Sequence, residues 1–224
     1  MNKYVAFLRA INVAGHATIK MTDLRARFER AGGQTVRTEI QSGNVLFETP
    51  AGDAARIVRN VRDGLRRTLG VNPEIMVRRV DEVEALLESA PFRDWEAGRG
   101  VKLYVTFLAR QPGRRLALPM VSTREALEVI KIKGREAFVV SRRNRRGFFG
   151  FPNNLIEEQL GVPATTRNWS TVARIVSQAR GKTEGRHRGQ AGSRGGPGDR
   201  VAAVGASGAP GGPGKAAATR RGGR

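Results

Sequence analysis

The sequence predicts an α+β fold of two tandem ferredoxin-like halves, each of βαββαβ type with an antiparallel sheet, followed by a disordered C-terminal tail. Three observations carry this. Hydrophobic patterning over residues 1–80 runs strand, helix, strand, strand, helix, strand. Residues 81–179 follow part of that order without repeating its sequence. Composition then changes: 14 of the 28 glycines lie beyond Ala179, with several prolines and almost no large apolar side chain. Such a segment buries too little apolar area to offset its ordering entropy, so residues 180–224 are read as a disordered Arg/Gly-rich tail.

The first half, residues 1–80, opens with Lys3–Arg9. Apolar residues fall on both faces there (Tyr4, Ala6 and Leu8; Val5 and Phe7), which suits a central, covered strand. A polar loop runs to Lys20. A helix follows, capped by Thr22 and burying Leu24 and Phe28, and Gly32-Gly33 ends it. Gln34–Gln41 and Asn44–Glu48 form a hairpin around Ser42-Gly43. Gly52–Leu69 is a second helix, with Ile57, Val61, Leu65 and Leu69 four apart, and Glu74–Arg79 is the closing strand.

The second half, residues 81–179, starts with a short helix at Asp81–Glu88 and a loop from Pro91 to Gly100 that half-buries Trp95. Val101–Phe107 alternates, with Val101, Leu103, Val105 and Phe107 on one face. Gln111–Val121 has no clear period, being broken by Pro112 and Pro119. Leu127–Lys133 and Arg135–Arg142 form a hairpin around Gly134. Asn153–Leu160 is a helix stopped by Gly161-Val162-Pro163. Asn168–Ala179 is the last helix, with Trp169, Val172, Ala173 and Val176 on one stripe.

The chain has 224 residues and a net charge of +20. The tail holds ten Lys/Arg and two Asp/Glu, a charge of +8, which leaves +12 on residues 1–179. Basic balance favours polyanions, nucleic acids among them, although arginine abundance beside scarce lysine also fits a bias in genome composition. There is no cysteine, which removes disulfides, thiolate catalysis and cysteine-ligated zinc. No apolar run of membrane-spanning length exists, and the N-terminus enters a charged, patterned strand directly, so a cytoplasmic protein with no membrane partner is expected.

Three motifs are widely spaced: Y-V-A-F-L-R-A-I-N-V-A-G from Tyr4, I-K-M-x-x-L from Ile19, and I-Q-S-G-N-V-L-F from Ile40. With T-T-R-N-W-S-T-V from Thr165, they make residues 1–179 resemble the bacterial family called domain of unknown function 1697. Ala14 stands where that family usually has a glycine, and Ser170 where asparagine is common. The resemblance implies a tandem α/β fold of the ferredoxin-like sort and brings no activity with it.

A composite site for a phosphate or carboxylate is expected from Arg9, Asn12, Lys20, Gln41, Ser42, Asn44, Arg167 and Asn168. Guanidinium forks and helix-end amides suit an anion. The same residues could instead satisfy loop carbonyls and lock the two halves together. A second patch places Arg142, Arg143, Arg145 and Arg146 before Phe148, Phe149 and Phe151. Basic residues interleaved with aromatics can hold a single strand of nucleic acid, but core packing of the phenylalanines is the favoured reading. His16, alone in its loop, reads as solvated. Ser42 is accounted for by turn chemistry, and Gly32-Gly33-Gln34 by helix termination. Asp23, Glu29 and Glu39 lack metal-ligand spacing, so neither metal nor cofactor is expected.

Three function classes follow. The first choice is a protein with a composite anion-binding site, leaning away from catalysis because no base and nucleophile are paired in the sequence. The alternatives are a nucleic-acid-binding protein using its basic body and tail, and an enzyme acting on a phosphorylated or carboxylated small molecule. A purely structural role for the polar motif stands beside them.

Overall fold

The computed structural model describes residues 1–9, 11, 18–39, 43–70 and 72–181. Asn12, His16, Gln41, Ser42 and the expected tail beyond Gly181 lie outside the described residues. The fold is mixed α+β, and among the described residues it holds two antiparallel sheets and five helices.

The first sheet joins β1 (Asn2–Leu8), β2 (Gln34–Glu39), β3 (Asn44–Thr49) and β4 (Ile75–Arg79) in the order β2-β3-β1-β4. Every neighbouring pair is antiparallel. Strand β1 is central and covered on both sides, as its continuous apolar run requires. Ala6, Leu8, Val45 and Phe47 pack with Leu24 and Phe28 of α1 (Met21–Arg30) and Ile57, Val61 and Leu65 of α2 (Ala54–Leu69). Leu69, the last member of the expected α2 stripe, is 38% exposed because the helix ends there, at a left-handed Gly70. Lys20, not Thr22, is the N-cap of α1, and its side chain makes no capping bond.

The second sheet joins β5 (Val101–Leu108), β6 (Met120–Ser122), β7 (Leu127–Lys133), β8 (Glu136–Arg142) and β9 (Ala164–Asn168) in the order β6-β7-β8-β5-β9. Its neighbouring pairs are antiparallel too. Strand β5 lies between β8 and β9, as β1 lies between β3 and β4. Helix α3 (Val80–Glu88) links the sheets, α4 (Asn153–Leu160) precedes β9, and α5 (Trp169–Ala179) follows it.

Two strands escape the sequence reading. Met120–Ser122 is only three residues long and follows Pro119 directly. Ala164–Asn168 carries mainly polar side chains, yet its first four residues are buried, so tertiary burial overrides its composition. The last helix therefore starts at Trp169, with Asn168 as its N-cap. Its buried stripe is Val172, Ile175 and Val176, while Ala173 faces outward. Strand β5 is buried on both faces from Leu103 onward, rather than on one.

A single central core explains this. Val5, Phe7, Leu46 and Met76 of the first sheet meet Leu103, Val105, Phe107, Phe138 and Val140 of the second, with α3 and α5 packed against them. Phe7 stacks on Phe107 with ring centroids 4.0 Å apart and planes within 10°. The outer face of the second sheet carries a third cluster, in which Tyr104, Leu108 and Val139 meet Ile156 and Leu160 of α4. The described residues accordingly form one compact unit.

Candidate functional site

Strand β1 ends at the seam between the sheets, and there the expected polar residues begin to converge. The Leu8 amide donates to the Gly43 carbonyl at 2.9 Å. Gly43 has a φ of 71°, and a Cβ on it would stand 3.1 Å from that of Leu8, so glycine fits both the turn and the approach. This fixes Asn44 at the start of β3, fully buried.

Arg167, buried on β9, reaches across to it. Its Nε donates to Asn44 Oδ1 at 2.5 Å and its Nη2 to the Leu8 carbonyl at 3.0 Å. Its Nη1 donates to Thr165 Oγ1 at 2.7 Å and to the Thr166 carbonyl at 2.9 Å. The guanidinium carbon also lies 5.6 Å from the centre of the Phe7 ring. Asn44 Nδ2 donates to the Glu39 carbonyl at 3.1 Å. Burial pushes the Arg167 guanidinium down to about 10, by taking the charged group out of water.

Arg9 forms a second bridge. Its Nε and Nη2 donate to the two carboxylate oxygens of Glu157 on α4, both at 2.7 Å. Glu157 Oε1 also accepts the Ala164 N–H at 2.7 Å, tying the start of β9 to the same carboxylate. That pairing holds the Arg9 guanidinium above its ordinary value.

Arg78 is a third bridge, and sequence reasoning missed it. Its Nε donates to Glu136 Oε1 at 2.6 Å, and its Nη2 donates to the Leu108 and Arg135 carbonyls at 2.8 and 3.1 Å. Burial is the largest influence on the Arg78 guanidinium and lowers it; the Glu136 hydrogen bond opposes that shift. One signal was legible. Arg78 shares the buried face of β4 with Met76, a place where a charged residue needs a partner.

Of the eight residues expected to form an anion site, Asn44 and Arg167 meet directly, and Arg9 follows the carbonyl that Arg167 binds. Lys20 and Asn168 are exposed N-caps of α1 and α5, and neither makes a side-chain capping bond. Asn12, Gln41 and Ser42 lie outside the described residues.

The basic–aromatic patch has a different character. Arg143 and Phe149 pair as an antiparallel bridge, closing a small hairpin whose turn is Asn144 to Gly147. Asn144 Oδ1 accepts the N–H groups of Arg146 and Phe148, each at 3.0 Å, which orders the turn from inside. Arg143 Nε donates to the Arg99 carbonyl at 2.7 Å and its Nη1 to the Gly147 carbonyl at 3.0 Å, fixing the hairpin to the loop before β5. At its base Ser141 Oγ donates to the Gly150 carbonyl. A Cβ on Gly150 would sit 2.1 Å from the Glu125 carbonyl oxygen, so only glycine passes there.

What this hairpin presents differs from the core-packing expectation. Phe148 is 69% exposed and Phe151 55%, while Phe149 is half-buried. Phe149 lies beneath two cations, Lys102 Nζ at 4.4 Å and the Arg143 guanidinium at 5.0 Å. Phe151 meets the Tyr104 ring edge-on at 5.8 Å. Arg142 pairs with Glu128 at 2.9 Å and covers Trp95 at 4.8 Å. Arg145 and Arg146 are exposed and have no carboxylate partner among the described residues.

Among the described residues no three His, Cys, Asp or Glu side chains gather as a metal site, and no helix is long and apolar enough to cross a membrane. A family model described as a protein of unknown function, DUF1697, matches residues 1–138. Thr165–Val172, part of the resemblance in the sequence, lies beyond that match. No curated protein matches the chain. A solved structure of a conserved bacterial protein from Streptococcus pneumoniae is similar in fold, with a TM-score of 0.50 and 21% identity. The similarity covers 79% of this chain and 97% of that one.

Proposed function

The chain belongs to the DUF1697 family of proteins of unknown function, and from that premise we propose that it is a cytoplasmic, non-catalytic protein that binds single-stranded nucleic acid through the 142–151 hairpin. The observation that carries this is Phe148, 69% exposed beside Arg145 and Arg146 on a turn held in place by Asn144 and Arg143. A base can stack on an exposed ring while neighbouring guanidinium groups contact phosphates, and neither interaction depends on sequence. Lys102 with Phe149, and Tyr104 with Phe151, extend the same chemistry along β5.

The composite polar cluster is assigned to the scaffold. Arg9 and Arg167 face protein acceptors already, so an anion there would have to displace them. The scaffold itself is read as two ferredoxin-like halves, 1–80 and 81–179. The matching strand orders β2-β3-β1-β4 and β7-β8-β5-β9 support that reading, and the second half departs from it by carrying β6 where the first has α1.

The test is fluorescence anisotropy of a labelled single-stranded RNA with the full chain, Arg145→Ala/Arg146→Ala, Phe148→Ala, and a chain lacking residues 182–224. The double arginine variant is expected to weaken binding and to lower the salt slope by about 1.4, the value for two phosphate contacts on a single strand. Phe148→Ala is expected to weaken binding with no change in slope. Binding that survives all of these substitutions and vanishes with residues 182–224 would overturn the proposal.

A further inference from the structure

Where the end of α5 passes β2 and β3, a cleft of about 160 Å³ opens. Leu46 and Phe47 give it an apolar base, and Lys3, Thr35, Arg37 and Gln178 supply its polar lining. It belongs to neither the polar cluster at the seam nor the aromatic hairpin.

Two of these residues are held at a cost that the fold does not explain. Thr35 has a φ of 48°, in the left-handed region that a β-branched residue rarely adopts. It sits in the irregular stretch between Gln34 and Arg37, where β2 slips its register against β3. Bulges of this kind re-aim side chains and recur beside binding sites. Gln178 Oε1 is covered and accepts no hydrogen bond among the described residues. Buried carboxamides are ordinarily satisfied, so both irregularities fall on one cleft.

Charge selects the occupant. Arg37 is exposed and has no carboxylate partner among the described residues. Lys3 Nζ donates to the Ala179 carbonyl at 2.9 Å and stands 3.9 Å from Glu48. Glu48 is the one carboxylate in the lining, and Arg180, also at the rim, pairs with Glu84. The volume matches about five waters at their share of the liquid, enough for one compact group.

We propose that this cleft binds a small oxyanion, a phosphate or a carboxylate, through Arg37 and Lys3, with the Thr35 hydroxyl and the Gln178 carboxamide completing its hydrogen bonds. An arginine fork matches the paired oxygens of either group. A turn of the Gln178 carboxamide brings its NH2 toward the anion, and its oxygen has no hydrogen bond to lose. The left-handed Thr35 is the conformational cost of presenting a hydroxyl at this edge.

The experiment is an amide-shift NMR titration of the full chain with inorganic phosphate and, separately, with acetate, at constant ionic strength against chloride. Saturable shifts confined to Lys3, Thr35, Arg37 and the end of α5 are expected for at least one of the two probes, and the responding probe identifies the class. Arg37→Ala is expected to weaken that binding tenfold or more, Gln178→Leu to weaken it less, and Arg145→Ala/Arg146→Ala to leave it unchanged. No saturable shift with either probe, or unchanged binding in Arg37→Ala, would overturn the site. Binding lost only in Arg145→Ala/Arg146→Ala would overturn it as well, by moving the anion to the hairpin.

Discussion

Arg167 Nε lies 2.5 Å from Asn44 Oδ1, a hydrogen bond that joins the last strand to the first hairpin across 123 residues of chain. Because Arg167 also binds the Leu8 carbonyl, its removal takes a charged donor from two buried acceptors, Asn44 Oδ1 and the Leu8 carbonyl.

Arg167→Met is therefore expected to destabilise the protein by about 2–6 kcal/mol, about 1–3 for each of the two acceptors, read by urea denaturation. Arg167→Lys is expected to recover only part of this, since a single ammonium cannot reproduce the fork. The pH sign follows from burial. The folded guanidinium, near 10, releases its proton before the unfolded one, whose ordinary value lies higher. The unfolded state thus binds more protons between those values, so stability gains a rising component there and no slope from Arg167 at lower pH. A wild-type component that falls with pH over that window, relative to Arg167→Met, would contradict the assignment.

Arg78 and Glu136 form the buried pair of the seam, with side chains 2% and 12% exposed. Glu136→Ala alone is expected to cost about 3–5 kcal/mol by leaving a buried cation unpaired. Arg78→Met combined with Glu136→Gln is expected to cost clearly less than the sum of the two single changes. Additive losses in that double-mutant cycle would mean that the pair does not act as a unit.

Asp81, at the start of α3, accepts both Arg79 guanidinium nitrogens, at 3.0 and 2.7 Å, and this lowers its carboxyl below the ordinary 3.8. A carboxyl lowered in the folded state contributes stability above its unfolded value, and that contribution disappears as pH falls through the folded value. The pair is at the surface, so Asp81→Asn is expected to cost only a few tenths of a kcal/mol at neutral pH. Thermal melts of both proteins are expected to converge once the pH falls below that folded value.

Thr35→Gly frees the backbone of its left-handed strain and is expected to raise stability by about 1 kcal/mol, the usual difference between glycine and a branched residue in that region. Chemical denaturation measures it. A loss of stability would mean that the Thr35 side chain supports the edge of β2.

Gly150→Ala pushes a methyl into the Glu125 carbonyl and is expected to cost about 1–3 kcal/mol. Amide shifts for 143–151 are expected to move while those of the first sheet stay in place. Unchanged hairpin shifts would refute the close passage.

Periodicity made most of the scaffold legible. The four-residue spacing of Ile57, Val61 and Leu65 and the continuous apolar run of β1 each translate directly into burial. Strand β9 was illegible because Thr165, Thr166 and Arg167 are buried by what they bond to rather than by being apolar. Thr166 Oγ1, for instance, meets Thr106 Oγ1 at 2.8 Å. The polar lock was half legible. Arg167 and Asn44 carry the right chemistry, but their meeting depends on a strand that composition hides. Arg78 showed only as a charge on an apolar face, its partner Glu136 lying 58 residues away, and the exposed phenylalanines were hidden by the rule that apolar residues go inside, which holds for Phe138 and fails for Phe148.

The stack of Phe7 on Phe107 bears on synthesis. The four strands of the first sheet are all synthesised before residue 80, yet the face carrying Phe7 stays bare until β5 and β8 are made. Strand β9 and its arginine arrive later still. A nascent chain of this protein therefore carries an open apolar face through the translation of roughly the sixty residues that separate the end of β4 from the end of β8, a window in which a chaperone would find its substrate.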